Sequence, residues 1–549
     1  MHPDTGSPGH PAIEIRRFSF RYPESDSWAL ENISLRIGRG EFVAVIGPNG
    51  AGKSSFCKSL NGVIPHFEGG VVKGSVLIHG QDTRTHEVAD LAREVGLVLE
   101  DPDAQLFAGT VLDEAAFGPE NLGMEPSRIR RSVARALRAV GLEDLDERSP
   151  SSLSGGQKQR LAIAAALAMT PSVLVFDEAT SQLDAEGSRR LMELICRLKL
   201  RYKLTVIVAT HDMNLVSVYA DRVLALDSGR AVAFDTPERV LPSYGDGSTG
   251  GSSPMGALPV TFTAPRSTDR VQGTDQPPLL EISSLRCEYP GVVAVDDVTT
   301  TIARGRFVGI VGRNGSGKTT LFKAIVGLIA PANGEVRLGG DLVSRLSATE
   351  LVRRVGYVQQ NPDHQLFADT VWKEVAYGPT NLRLARDQIA ERVGTALDIV
   401  GLRDRAREHP LALGRDERSL VALASILALE SRIVLLDEPT RGHDAAGSRR
   451  VMEIACALRD SGRTVIAIGH DLSLLCQYVD RLIVMERGRI IVDGETAEVT
   501  AGNSDVFEAA GVLASHQSPY EGALSSGDRS SAQDNADIDG IYDEAKICS

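Results

Sequence analysis

A glycine-rich loop occurs twice in this chain of 549 residues. Gly47-Pro48-Asn49-Gly50-Ala51-Gly52-Lys53-Ser54 returns as Gly312-Arg313-Asn314-Gly315-Ser316-Gly317-Lys318-Thr319, with Lys318 lying 265 positions after Lys53. Each loop follows a short apolar run, 42–46 or 307–311. In a strand-to-helix setting, the G-x-x-x-x-G-K-[ST] pattern turns backbone N–H groups inward around phosphate oxygens. Lys53 or Lys318 then reaches the β- and γ-phosphates, and the hydroxyl of Ser54 or Thr319 ligates magnesium. The following helix aims its positive end at the same anion.

Other segments repeat in step. Phe176-Asp177-Glu178 returns as Leu436-Asp437-Glu438 at an offset of 260, and His211 as His470 at 259. Pro102-Asp103-Ala104-Gln105-Leu106-Phe107 returns as Pro362-Asp363-His364-Gln365-Leu366-Phe367. A nearly constant offset means two copies of one domain rather than a short-period solenoid. The expected domains are 11–240 and 279–500. Between them, 241–278 is rich in Gly, Ser, Thr and Pro, the composition of a flexible linker. A tether of that size reaches roughly 30–35 Å, enough for the copies to face each other. The segment 501–549 reads as a polar, disordered tail.

Continuous apolar runs at 173–176, 205–209, 433–436 and 464–468 suit strands buried on both faces of a parallel sheet. The fold class is therefore α/β, present twice. Ligands of such sheets gather at the carboxyl ends of the strands. There, Asp177 and Asp437 can hold magnesium through its water shell. Glu178 and Glu438 can polarise an attacking water. His211 and His470 can meet the γ-phosphate or that water; a lone histidine is more often structural, but a matched pair points to the site. Ser154-Gly155-Gly156-Gln157 precedes a helical pattern over 161–168. It reads either as a helix cap or as a second anion site.

Lys and Arg total 59 against 73 Asp and Glu, giving a net charge of −14. That disfavours nucleic acid as a partner, since phosphate contacts need a basic footprint. No apolar stretch is long enough to span a bilayer, and the start does not read as a secretory signal. Cys57, Cys196, Cys287, Cys456, Cys476 and Cys548 lack metal-ligand spacing and are expected to be reduced.

With these residues assembled, the chain resembles the ATP-binding cassette (ABC) proteins, which implies two tandem P-loop NTPase domains binding ATP with Mg2+. Leu153-Ser154-Gly155-Gly156-Gln157 matches the family signature. Tyr22 and Tyr289 match the aromatic residue that stacks on adenine, and Leu183-Asp184 and His443-Asp444 match the D-loop. A narrower resemblance is to the ATPase subunits of energy-coupling-factor importers. It is carried by Phe20-Arg21-Tyr22-Pro23, Ile64-Pro65-His66-Phe67, Ala116–Gly123 and Asn361–Phe367. The resemblance implies a transmembrane coupling subunit and a small substrate-binding membrane subunit as partners. Cargo would be a vitamin, a vitamin precursor such as a precursor of thiamine, or cobalt or nickel ions. The chain would sit peripherally on the cytoplasmic side of the cell membrane. The rival reading is a soluble tandem cassette acting on ribosomes or nucleic acid.

In the family, two cassettes pair head to tail, and each ATP lies between one phosphate loop and the other copy's signature. The Lys318, Asp437, Glu438 and His470 set would then be closed by Ser154-Gly155-Gly156. The Lys53, Asp177, Glu178 and His211 set would meet Leu413-Gly414-Arg415-Asp416-Glu417, where the signature serine and glycines are replaced. Glu100 also stands where the second copy has Gln360, a magnesium-contacting position in the family. Bulk and negative charge are thus expected against phosphate on one side only, with the Glu438 site hydrolysing and the Glu178 site mainly binding. Gln105-Leu106-Phe107 and Gln365-Leu366-Phe367 read either as an exposed docking groove or as local core.

Overall fold

The computed structural model describes residues 11–23, 25–181, 183–245, 278–502 and 507. Each copy holds a six-stranded sheet and a four-stranded antiparallel sheet. In the first copy the larger sheet runs Arg230–Asp235, Arg222–Asp227, Phe42–Ile46, Thr205–Ala209, Val173–Asp177, Val95–Val98. Its pairings are parallel except at the Arg230–Asp235 edge. The second copy repeats this order with Arg489–Glu495, Arg481–Glu486, Phe307–Val311, Thr464–Ile468, Ile433–Asp437 and Val355–Val358.

The strands that carry chemistry are short because they are buried throughout. Phe42–Ile46, Val173–Asp177 and Thr205–Ala209 are buried at every position, as are Phe307–Val311, Ile433–Asp437 and Thr464–Ile468. Burying each large apolar side chain contributes about 1.5–3 kcal/mol. Two strands run one residue beyond the apolar run, so Asp177 and Asp437 are themselves the last paired residues.

The antiparallel sheet alternates instead, as Leu30–Ile37 shows by pointing Leu30, Ile33, Leu35 and Ile37 inward. It packs with the phosphate-loop helix Lys53–Leu60 in one core. On the other face, helices Val111–Asn121, Pro126–Val140 and Gly155–Ala168 share a second core with the sheet. Val371–Asn381, Arg386–Val400 and Arg415–Leu427 do so in the second copy.

The expected linker start is corrected: helix Pro237–Gly245 continues past 241, carrying Pro242 within it. The remaining linker, 246–277, and nearly all of the expected tail, including Cys548, lie outside the described residues. The other five cysteines are free thiols. Among the described residues no helix is long and apolar enough to cross a membrane.

Candidate functional site

The phosphate loops turn into their helices at glycines whose place a larger residue would clash in, Gly52 and Gly317. Gly52 and Gly317 start their helices in left-handed conformation at φ 100° and 97°. A Cβ there would lie 2.5 Å from the Ala29 carbonyl oxygen or 2.2 Å from that of Ala294. The following lysines are almost fully buried. Lys53 Nζ donates to the Gly47 and Pro48 carbonyls at 2.9 and 3.3 Å; Lys318 Nζ donates to those of Gly312 and Arg313 at 2.7 and 2.9 Å. Burial holds the Lys318 ammonium below the ordinary lysine range.

Beside each loop the expected magnesium residues meet. Ser54 donates to Asp177 Oδ1 at 3.0 Å, and Thr319 to Asp437 Oδ1 at 3.2 Å. Both carboxyls are pushed up to about 6, chiefly by burial, with the neighbouring Glu178 or Glu438 adding to the rise. A hydroxyl and a carboxylate brought together in this way are the hard oxygen donors that suit a magnesium-like cation. Among the described residues no cluster of three or more His, Cys, Asp or Glu could hold a metal. Tyr357 also donates to Asp437 Oδ2 at 2.9 Å. The first copy has Leu97 at that place.

Glu178 and Glu438 follow these strands with positive φ, 51° and 49°. Their N–H groups bond the Ala209 and Ile468 carbonyls, both at 3.0 Å. Left-handed backbone is unusual for glutamate, and such strain of order 1–3 kcal/mol gathers at functional sites. Its presence at both matched positions is not predictable from residue type.

The two glutamates then differ. Glu178 Oε1 pairs with Lys53 Nζ at 3.1 Å, and its Oε2 lies 3.9 Å from His211 Nδ1. Glu438 Oε2 instead accepts from Gln360 Nε2 at 2.6 Å and lies 3.3 Å from Arg441 Nη1. His470 is half-buried at its strand end and, among the described residues, has no hydrogen-bond partner. Tyr22 packs edge-on against Phe20, and its hydroxyl lies 3.0 Å from Ser55 Oγ; Tyr289 is exposed.

Contacts between the copies reach both loops. Asp184 caps its own helix through Oδ1 and accepts from the Asn314 N–H through Oδ2, at 3.0 Å. Asp444 repeats this, with Asn49 N–H at 3.1 Å. On the Lys53 side there is more. Asn49 Nδ2 donates to Asp416 Oδ2 at 2.7 Å and to the Gly442 carbonyl at 2.8 Å. Arg415 pairs with Glu100, which also accepts from Ser181 at 3.2 Å. Asp416 is raised by burial, with Asn49 opposing the rise. Glu100, expected to set a carboxylate against phosphate, is paired here with Arg415. Ser154, Gly155 and Gly156 are exposed. Ser154 and Gln157 bond each other's backbone in a capping box, so the helix-cap reading holds in this state.

The Gln-Leu-Phe segments divide. Gln105 and Gln365 accept from the Leu99 and Gln359 N–H groups, and Leu366 is buried. Phe107 and Phe367 are each 65% exposed. They meet Phe117 and Tyr377 edge-on at 4.6 and 4.7 Å.

Comparison with known proteins agrees with this architecture. The ABC transporter family profile matches residues 30–181 and 295–441. An ABC transporter ATP-binding protein of Methanosarcina acetivorans is 36% identical, over 92% of this chain and 89% of its own length. Another, from Caldanaerobacter subterraneus, is 35% identical over 89% and 92%. A solved structure of cbiO1 from Clostridium perfringens, part of the ABC transporter complex cbiONQ, is 31% identical; it covers 45% of this chain and 98% of its own, with a TM-score of 0.39. The chain belongs to the ABC transporter family, as two of its ATPase domains in tandem.

Proposed function

We propose that this chain is the fused ATPase pair of an energy-coupling-factor importer, working at the cytoplasmic face of the membrane through partner subunits. Residues 11–240 and 279–500 act as its two cassettes, paired head to tail. The observation that carries the reading is the inequality of the two loops. Lys318, Thr319, Asp437, Glu438, Gln360 and His470 form a full set, which the intact Ser154-Gly155-Gly156-Gln157 of the other copy would close once nucleotide is bound. The Lys53 loop instead faces Arg415 and Asp416, which already bond the first copy.

In this reading the Glu438 site hydrolyses ATP and the Glu178 site holds it. Glu438 orients and deprotonates the attacking water, and His470 steadies it against the γ-phosphate. Tyr22 and Tyr289 flank the adenines. Thr319 and Asp437, with Gln360, and Ser54 and Asp177 in the first copy would hold magnesium, which would supply charge neutralisation on the phosphates. Binding draws the copies together around phosphate charge, and release of phosphate reopens them. The exposed aromatic pairs, Phe107 with Phe117 and Phe367 with Tyr377, offer matched anchors for helices of a coupling subunit. Cargo is a vitamin, a vitamin precursor such as a precursor of thiamine, or cobalt or nickel, chosen by the small membrane subunit.

The deciding experiment is a gentle-detergent pull-down of the tagged chain from its own membranes, with mass spectrometry of proteins and small molecules. One multi-span protein with a small membrane protein is the expected catch. Ribosomal proteins from the soluble fraction, without membrane partners, would leave only the ATPase.

A further inference from the structure

The two copies solve one electrostatic problem in different ways. A buried glutamate beside a buried lysine takes the nearest cation. In the first copy Glu178 takes Lys53, and both side chains are nearly closed to solvent. In the second copy the hydrogen bonds of Lys318 among the described residues go to the loop and Ser316. Glu438 has another cation: Arg441, at the place where the first copy has Ser181. Arg441 and Glu438 are 12% and 10% exposed at the side chain, so water screens the pair little. Gln360 holds the same Oε2 from another direction. A phosphate chain arriving at Lys53 must break an ion pair, whereas one arriving at Lys318 displaces only carbonyl and hydroxyl acceptors.

We infer that Arg441 is a positioning residue that holds Glu438 away from Lys318 and so keeps that lysine available to the nucleotide. This rests on the reading that Lys318 binds the phosphate chain. The role of Arg441 is to occupy Glu438, not to touch ATP. It follows that Arg441→Ser lets Glu438 turn to Lys318, as Glu178 does to Lys53, and that ATP must then compete with a carboxylate. The defect must need the negative charge of Glu438, which separates positioning from loss of structure.

The test is a binding cycle on the full chain, with Lys53→Ala in every variant so that the titration reports on the second loop. The probe is a fluorescent trinitrophenyl-ATP. Arg441→Ser should weaken binding about tenfold, and Arg441→Lys should restore most of it. In a Glu438→Gln background, where a neutral amide cannot capture the lysine, Arg441→Ser should have little effect. Equal weakening in both backgrounds would show a merely structural role, and no weakening in either would show no role; each overturns the inference. Absence of any probe binding that Lys318→Ala abolishes would instead sink the underlying reading of the loop. Steady-state turnover, in chains with Lys53 intact, adds an independent check: Arg441→Ser should raise KM for ATP more than it lowers kcat.

Discussion

Glu100 and Arg415 form an ion pair across the two copies, 315 positions apart in the chain. Each departs from what its copy-related position carries: Gln360 matches Glu100, and Gly155 matches Arg415. Separately, each would set charge or bulk toward the Lys53 loop. Together they cancel, and with Asn49 bound to Asp416 they bind the copies on the Lys53 side. With side chains 27% and 29% exposed, the pair lies between surface and buried cases, at about 1–2 kcal/mol. Arg415→Glu should therefore lower the closed-to-open ratio of the nucleotide-free chain about five- to thirtyfold. Energy transfer between dyes, one on each copy, reads this. Glu100→Arg with Arg415→Glu should recover much of the loss, and a double variant no better than the single would show that the pair does not hold the interface.

Glutamine at the two strand-end glutamates should separate the sites. Glu438→Gln is expected to lose about 10²-fold or more in steady-state phosphate release, the scale of a missing general base. Glu178→Gln should stay close to the parent, because its site faces Arg415 and Asp416 in place of a signature. Equal losses would end the asymmetric reading.

Much of this was legible in the sequence because the signals are local. A buried parallel strand must be apolar at consecutive positions, and a phosphate loop needs glycine at the left-handed start of its helix. Phe42–Ile46 and Phe307–Val311 therefore begin and end where the pattern says. The left-handed Glu178 and Glu438 have no such signal, since glutamate does not favour that conformation. Nor does the Arg441 contact, which arises only once the turn after Glu438 has folded. The Glu100–Arg415 pairing left a faint trace: two departures of opposite charge that fall on one composite site.

His443 gives a stability prediction. It replaces the first copy's Leu183, is 4% exposed, and neither ring nitrogen has a partner among the described residues. Leaving such groups unmet costs about 1–3 kcal/mol. His443→Leu should therefore raise resistance of the second copy to urea by that order. Burial also holds the imidazole below its ordinary 6.5, although Asp416 and Asp444 oppose this. A lowered histidine means that the unfolded chain binds the proton first, so the parent loses stability as pH falls below about 6.5. The leucine variant should lack that component. An identical pH slope in the two proteins would show that His443 does not titrate with unfolding.

The exposed aromatic pairs supply the last prediction. Phe367 and Tyr377 stand half or more in water while Leu366 beside them is buried, so the segment is anchored and its ring presented. Glu374 fixes the presentation by accepting from the Phe367 and Ala368 N–H groups at 2.8 and 2.7 Å, as Glu114 does for Phe107 and Ala108. Aromatic anchors at an interface carry about 2 kcal/mol or more each, roughly thirtyfold in affinity. Phe367→Ala with Tyr377→Ala should thus weaken recovery of membrane partners at least that much in a quantitative pull-down. Basal ATP hydrolysis by the isolated chain should be unchanged, since neither ring touches a phosphate loop. The Phe107→Ala, Phe117→Ala variant should behave alike if both copies dock. Full recovery of partners with all four rings removed would place the docking surface elsewhere.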